Sequence, residues 1–310
     1  MLFQRIFGTA LILLSLHSPA ETQAAQVVLV ESSGSNLYRR AMSGFKKSFA
    51  GDSITLRAQG VLANPEKLIK AIRKEQPQVI VTVGLGATRT VVSMIDDIPI
   101  VFCMANNPRQ HGLQRPNTAG VLLEPAPAAQ LQAFARLLPK AKRFGIIYDE
   151  KASGDFVRAA KRKAKALNIH IDAIRVESRP QVPKALSRLV SRVDALWLLR
   201  DAKVMTRSFF KQTILLQYNR KLPVLAYSEQ FVRQGALASF AASYSDQGRM
   251  VARLVKAILA GKASEVMGIV SPKGHLTINP NAAKQAGLML PEKLMKRANV
   301  IVVEGKEGRP

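Results

Sequence analysis

The stretch 221-KLPVLAYSEQFVRQGALASFAASYSDQGRMVARLVKAILAGK-262 decides the fold, because an earlier stretch partly repeats it. Lys221-Leu222-Pro223-Val224-Leu225-Ala226 reads as a short buried strand opened by a proline. Asp97-Ile98-Pro99-Ile100-Val101-Phe102 has the same grammar 124 positions earlier. A proline is tolerated there, because the first residue of a strand need not donate to the ladder. The flanking segments repeat as well. Val27-Val28-Leu29-Val30 is echoed by Phe144-Gly145-Ile146-Ile147-Tyr148 at an offset of about 117, and each is followed by a polar loop and a basic helical pattern. Ser53 to Ala58 pairs with Ile169 to Val176, and Val79-Ile80-Val81-Thr82-Val83 pairs with Ala195-Leu196-Trp197-Leu198-Leu199.

Short apolar runs alternating with helical segments are the signature of a parallel sheet covered by helices on both faces. Two such halves predict an α/β protein of two similar doubly wound lobes. Strands are expected at 27–31, 53–58, 79–83 and 98–103, then at 143–148, 169–176, 194–199 and 222–227. Helices are expected at 36–50, 64–75, 86–95, 128–138, 153–167, 180–191 and 204–219. Gly120-Val121-Leu122-Leu123 reads as a strand crossing between lobes, and Leu237 to Ala241 as a return strand. From Asp246 the pattern is helical: Met250, Leu254 and Ile258 share a face, and Gly261 makes a stop. The expected division is 26–120 with 243–262 for the first lobe, and 121–242 with 263–310 for the second lobe, hinge and tail.

Residues 1–25 read as a secretory signal peptide: Arg5, the apolar run Ile6 to Leu16, then Ser18-Pro19-Ala20, with cleavage fitting after Ala20, Ala24 or Ala25. The run falls short of the ~20 residues that span a bilayer. An exported, soluble periplasmic protein is therefore expected. The single cysteine, Cys103, rules out an internal disulfide, and none stands at the cleavage site to take a lipid. Cleavage after Ala25 would leave 285 residues, near the ~250–300 at which one core divides into two. The net charge is +25. Its cations fall mainly on helix faces, and export argues against a nucleic-acid partner.

Ligands of open α/β sheets bind beyond the carboxyl ends of the strands, and two lobes should turn those ends toward one cleft. The candidate ligand residues there are Ser32 and Ser33; Gly86, Ala87 and Thr88; Ala105, Asn106 and Asn107; Tyr148 and Asp149; Asp201; Ser228 and Glu229. Acids at strand ends can equally cap the next helix. Carboxylates, Arg200, hydroxyls and amides together suit a small zwitterion or polar amide: an ammonium pairs with a carboxylate, and a carboxylate with Arg, hydroxyls or backbone N–H groups. Tyr148, Trp197 and Tyr227 stand near strand ends where they could stack, although Trp197 lies inside a continuous apolar run.

Enzyme readings fail. Gly84-Leu85-Gly86-Ala87-Thr88-Arg89 puts Arg89 where a dinucleotide loop needs its third glycine, and it follows the third strand, not the first. His111, His170 and His275 have no metal-ligand spacing, and no serine carries a hydrolase elbow. Nothing demands a cofactor.

Several passages resemble the substrate-binding proteins of ABC transporters, in particular the tryptophan- and tyrosine-type members with the type I periplasmic fold. They are Asp97 to Phe102, Arg115-Pro116-Asn117-Thr118-Ala119-Gly120, Leu138 to Tyr148, Gly235-Ala236-Leu237-Ala238-Ser239, Tyr244 to Arg249, and Ile278 to Leu288 running to Pro291. The resemblance implies two lobes joined by a multi-strand hinge, a monomer, a small ligand gripped by lobe closure, and a membrane permease as partner. It departs at Asn107-Pro108, where members often carry Asp-Pro, so the implied charged amine contact is missing here. A periplasmic sensor that presents its ligand to a membrane receptor would use the same cleft.

Overall fold

Runs of Val and Ile bounded by Gly, Ser and Asn become strands buried on both faces. The computed structural model describes residues 26–58, 64–296 and 298–300, so the signal-peptide expectation over 1–25 lies outside it. The strands are β1 Val27–Glu31, β2 Ser53–Arg57, β3 Val79–Val83, β4 Ile100–Cys103, β5 Thr118–Val121, β6 Arg143–Tyr148 and β7 His170–Arg175. There follow β8 Ala195–Trp197, β9 Val224–Ala226, β10 Ala238–Ala241, β11 Gly268–Val270, β12 His275–Ile278 and β13 Asn299–Val300. The helices are α1 Asn36–Ser48, α2 Pro65–Lys74, α3 Leu85–Met94, α4 Pro127–Leu137, α5 Glu150–Ala166 and α6 Val182–Leu189. After them come α7 Arg207–Arg220, α8 Glu229–Arg233, α9 Tyr244–Leu259, α10 Ala263–Val266, α11 Pro280–Gln285 and α12 Glu292–Met295.

The first sheet has the order β2-β1-β3-β4-β5-β11 and the second β7-β6-β8-β9-β10-β12-β13. Through five strands the two orders are the same, so the sequence echo is a structural repeat. The prolines act alike in both: the Pro99 carbonyl accepts from Ile80 N at 2.9 Å and the Pro223 carbonyl from Leu196 N at 2.8 Å. Each sheet separates two apolar cores. In the first lobe, Val27, Leu29 and Val81 pack with Phe45 and Val255 on one face, and Val28, Val30 and Ile80 with Ile72 and Val91 on the other. In the second lobe, Phe134, Phe144 and Trp197 face Val157, while Val224 and Leu196 face Leu186 and Phe209.

The copies part after their fifth strand. β10, at the expected 237–241 return, runs parallel to β9, reached through the short helix α8, and antiparallel to β12. β5 lies within the first sheet, and β11 joins its edge in parallel. Gly268–Val270 and the helix before it therefore pack with the first lobe, whereas the sequence expectation placed 263–310 with the second. Period-2 alternation says which face a strand buries, not which sheet it joins.

The chain crosses between lobes three times: after β5, between β10 and α9, and between β11 and β12. The returning α9 lies directly on α1. A Cβ on Gly248 would stand 1.8 Å from the Ala41 carbonyl oxygen, and one on Gly44 would stand 2.1 Å from that of Ser245. Only glycine allows two helix backbones to approach this closely.

Candidate ligand-binding cleft

A cavity of about 450 Å³ opens where the two sheets' carboxyl ends meet. Both lobes and the crossing after β5 line it, with Ile269 and Ser271 at the end of β11 beside them. The first lobe supplies the β4–β5 connection, from Ala105 to Gln110. The crossing after β5 supplies Leu122 to Pro127. The second lobe supplies the start of α5, chiefly Ser153 and Phe156, with Leu199 and Arg200 after β8.

Within it the dominant charges form one pair. Arg200 Nε donates to Glu124 Oε1 at 2.7 Å. The Arg200 guanidinium also lies over the Tyr227 ring, 4.5 Å from its centroid, a cation–π contact that fixes its plane. Burial pushes the Glu124 carboxyl up, and Arg200 only partly offsets that. Burial opposes the Arg200 charge, yet Glu124 and Tyr244 hold the guanidinium above its ordinary range. The crossing segment is clamped from both lobes: Gln130 of α4 donates to the Pro125 carbonyl at 2.9 Å, and Gln247 of α9 to the Leu123 carbonyl at 3.2 Å. Opposite, the Gln110 side chain reaches across the cleft to the Lys151 carbonyl.

Two helices begin at this cavity without a side-chain cap: α4, whose Ncap is Ala126, and α5, whose Ncap is Asp149. Their first-turn N–H groups, with the positive end of each helix dipole, favour an anionic group there. Phe156 presents an apolar surface beside them, packed edge-on against Trp197 at 5.4 Å between centroids. Trp197 itself is core, 1 % exposed.

Of the candidates chosen from sequence, the cavity gathers Ala105, Asn106 and Asn107; Asn107 holds a left-handed φ of 47° that turns the loop into the cleft. The others stand elsewhere. Ser32 accepts from Ala87 N at 2.8 Å and so caps α3, with Ser33 half-buried beside it. Gly84, at φ 96°, leaves room for Ser32 and the Tyr38 ring. Ala87 and Thr88 are buried, with the Thr88 hydroxyl donating to the Gly84 carbonyl at 2.7 Å. Gly86 opens onto a separate groove. Tyr148 is half-buried, and burial followed by Glu150 raises its phenol. Asp149 is paired with Lys203 at 2.9 Å.

Asp201 is 1 % exposed and accepts from Asp149 N, the Ser153 hydroxyl, Lys203 N and Val204 N. Four donors from its own lobe fill it, so it anchors the start of α5 instead of offering a free carboxylate. Ser228 precedes α8, and Glu229 is exposed and paired with Arg233 at 2.5 Å. Sequence reasoning left Glu124 unnamed, along with Gln110, Ser153 and Phe156. The signal for Glu124 was available: it is the first acid after Asp97.

Residues 33–302 match the family described as ABC transporter substrate binding protein. The chain belongs to that family. A tyrosine-binding protein from Clostridioides difficile strain R20291 is 24% identical over 241 residues, 72% of this chain and 69% of the relative. Among solved structures, a ligand-free, open substrate-binding protein with adhesive properties from Clostridium difficile aligns at TM-score 0.74 and 19% identity, over 89% of this chain and 98% of that one. A Streptococcus pneumonia ABC domain in complex with L-Trp aligns at TM-score 0.64 and 19% identity, over 90% and 99%. These likenesses establish the two-lobed fold for this substrate-binding protein, and members of the family bind substrates and are not enzymes. Among the described residues no cluster of His, Cys, Asp and Glu could hold a metal ion, and no helix is long and apolar enough to cross a membrane.

Proposed function

We propose that this substrate-binding protein takes up an amino-acid-like zwitterion between its lobes, outside the cytoplasm, and presents it to a membrane permease in a closed form. The observation that carries the reading is the Arg200–Glu124 pair facing the inter-lobe cavity. A zwitterion can exchange with that pair without leaving a charge alone: its carboxylate goes to Arg200 and the uncapped start of α5, and its ammonium goes to Glu124 and the Asn106–Asn107 amides. Phe156, Leu199 and Leu122 would receive an apolar or aromatic side chain. The tyrosine-binding relative agrees with that chemistry. The expected partners are thus a small solute and the permease, with the chain acting as a monomer.

The test is a thermal-shift screen of the protein from residue 26 onward against the common amino acids, purines and small amides. Stabilisation follows RT ln(1 + [L]/Kd), about 2.7 kcal/mol at a hundredfold excess over Kd. A shift by an aromatic amino acid that disappears in Arg200→Gln supports the reading. Shifts only by uncharged solutes, unchanged in that variant, end it. Small-angle scattering with the bound ligand should give a smaller radius of gyration; an unchanged radius refutes closure.

A further inference from the structure

The cations of the first lobe's cleft side have no acid beside them in the chain. Between Ser32 and Gly51, between Gly84 and Ile95, and between Ile98 and Leu123 the chain holds not one carboxylate. These stretches include the loops after β1, β3 and β4, with exposed Arg39, Arg40, Arg89, Arg109 and Arg115. A groove of 410 Å³ runs from Gly86, beside the cleft, along α3 between Arg89, Thr90 and Ser93 on one side and His111 to Leu113 and Arg115 on the other. Among the described residues, no carboxylate pairs with Arg89, Arg109 or Arg115.

The second lobe supplies a control within the same molecule. It has the same topology, and its rim acids are each matched: Asp149 with Lys203, Glu150 with Arg158, Glu177 with Arg175 and Glu229 with Arg233. The far end of the first lobe is matched too, with Arg73 on Asp97 at 2.8 Å and Asp52, Glu75 and Asp96 close in sequence to its other cations. The second lobe's rim loops thus carry acids paired with their cations, whereas the corresponding loops of the first lobe carry cations without acids.

We propose that this flank, centred on Arg89 and Arg115, docks an acidic segment of the permease. The proposal rests on the family's transport role. Complementary charge at an interface rim steers encounter and suppresses wrong orientations, and salt screens it. The groove also adjoins the Ala105–Gln110 loop that lines the cleft, so the docking face changes shape when the lobes close.

The test uses the permease and its ATPase reconstituted in proteoliposomes, with the full soluble chain added together with L-tyrosine or L-tryptophan. Wild-type protein should stimulate ATP hydrolysis, less so as salt is raised. Arg89→Glu with Arg115→Glu should reduce stimulation about tenfold or more, with an unchanged melting curve and unchanged ligand-induced shift. Lys161→Glu with Lys165→Glu, on the exposed face of α5, should stay within about twofold of wild type. Equal stimulation by the two double variants overturns the proposal. So does a loss confined to co-flotation with empty anionic vesicles, which would assign the flank to lipid headgroups. If neither amino acid shifts the melting curve, the ligand reading has failed by itself. Docking is then read from co-flotation of ligand-free protein with permease-containing against empty vesicles: retention of Arg89→Glu with Arg115→Glu equal to wild type refutes it.

Discussion

Removing Arg200 should expose how much the cleft depends on one ion pair. The Arg200 and Glu124 side chains are 31% and 18% exposed. Breaking a fully buried pair by deleting one partner costs about 3–5 kcal/mol; with this degree of water access the figure for Arg200→Ala falls to about 2–3 kcal/mol. At roughly 2–4 °C per kcal/mol for a chain of this size, the melting temperature should drop by roughly 4–12 °C.

The pH dependence has a definite sign. Burial raises the Glu124 carboxyl in the folded state, and Arg200 is the main group pulling it back, so Arg200→Ala raises it further. A group whose folded pKa exceeds its unfolded value contributes stability fully below the unfolded pKa and loses it as pH rises through the folded one. The Arg200→Ala penalty should therefore be small near pH ~5 and grow toward pH ~8. Urea unfolding of wild type, Arg200→Ala, Glu124→Gln and the double variant at both pH values measures it. The double variant should be more stable than Arg200→Ala at the higher pH, because no charge is left alone. Equal penalties at both pH values, or a double variant no better than Arg200→Ala, would refute the reasoning.

Four further substitutions and one reactivity measurement test the scaffold. Gly248→Ala drives a methyl into the Ala41 carbonyl and should cost about 3 kcal/mol in urea unfolding. Gly112→Ala, at φ 63° with open space around it, should cost only about 1 kcal/mol. Asp201→Ala strands four donors and should cost about 3 kcal/mol while weakening any cleft ligand, since the start of α5 loses its anchor; Ser153→Ala should cost about 1 kcal/mol in the same measurement. Burial pushes the Cys103 thiol up to about 12, so it should resist thiol reagents in the folded protein at mildly alkaline pH and react fully once denatured.

The sequence carried the repeat because the repeat is written in core residues. The expected boundaries of β1, β3 and β6 match the structure to the residue: each is an apolar run closed by a polar or glycine loop, and burial on both faces leaves no alternative. Where the copies diverge, local pattern was silent. Gly268-Ile269-Val270 has the same chemistry in either sheet, and only its parallel pairing with β5, closed by the hydrogen bond from Leu122 N to the Val270 carbonyl at 2.9 Å, shows which edge it took. The cleft was half legible for a related reason. Strand-end positions follow from topology, so Asn106, Asn107 and the Arg200 neighbourhood could be located. Which strand-end acids remain available depends on long-range partners: Asp201 is filled by its own lobe, and Asp149 by Lys203. Glu124 sits in a proline-flanked crossing outside any strand-end loop, where pattern reading assigns linkers.

On the proposed reading, the division of the cleft between the lobes and the crossing also decides where closure gets its energy. Arg200 and Phe156 belong to the second lobe, and Glu124 to the crossing, so the open form already offers both charges and the apolar surface to a zwitterion. Those contacts change little when the lobes rotate, and a ligand equally bound in two states shifts nothing between them. Moving the population from mostly open to mostly closed requires about 5.5 kcal/mol of differential affinity. That difference must come from the first lobe's side, whose polar side chains are chiefly those of the Ala105–Gln110 loop, with Ile269 and Ser271 beside it. A family-type Asp in place of Asn107 would supply much of it through charge; here amides must. Each amide hydrogen bond contributes about 0.5–1.5 kcal/mol, rising to about 1.5–3 kcal/mol when its partner is charged. Asn106, Asn107 and Gln110 together reach the required range only if the ligand presents charged groups to them. An uncharged solute of the same size would bind without closing the protein, and for that reason a zwitterion fits this cleft better than a sugar or a neutral amide.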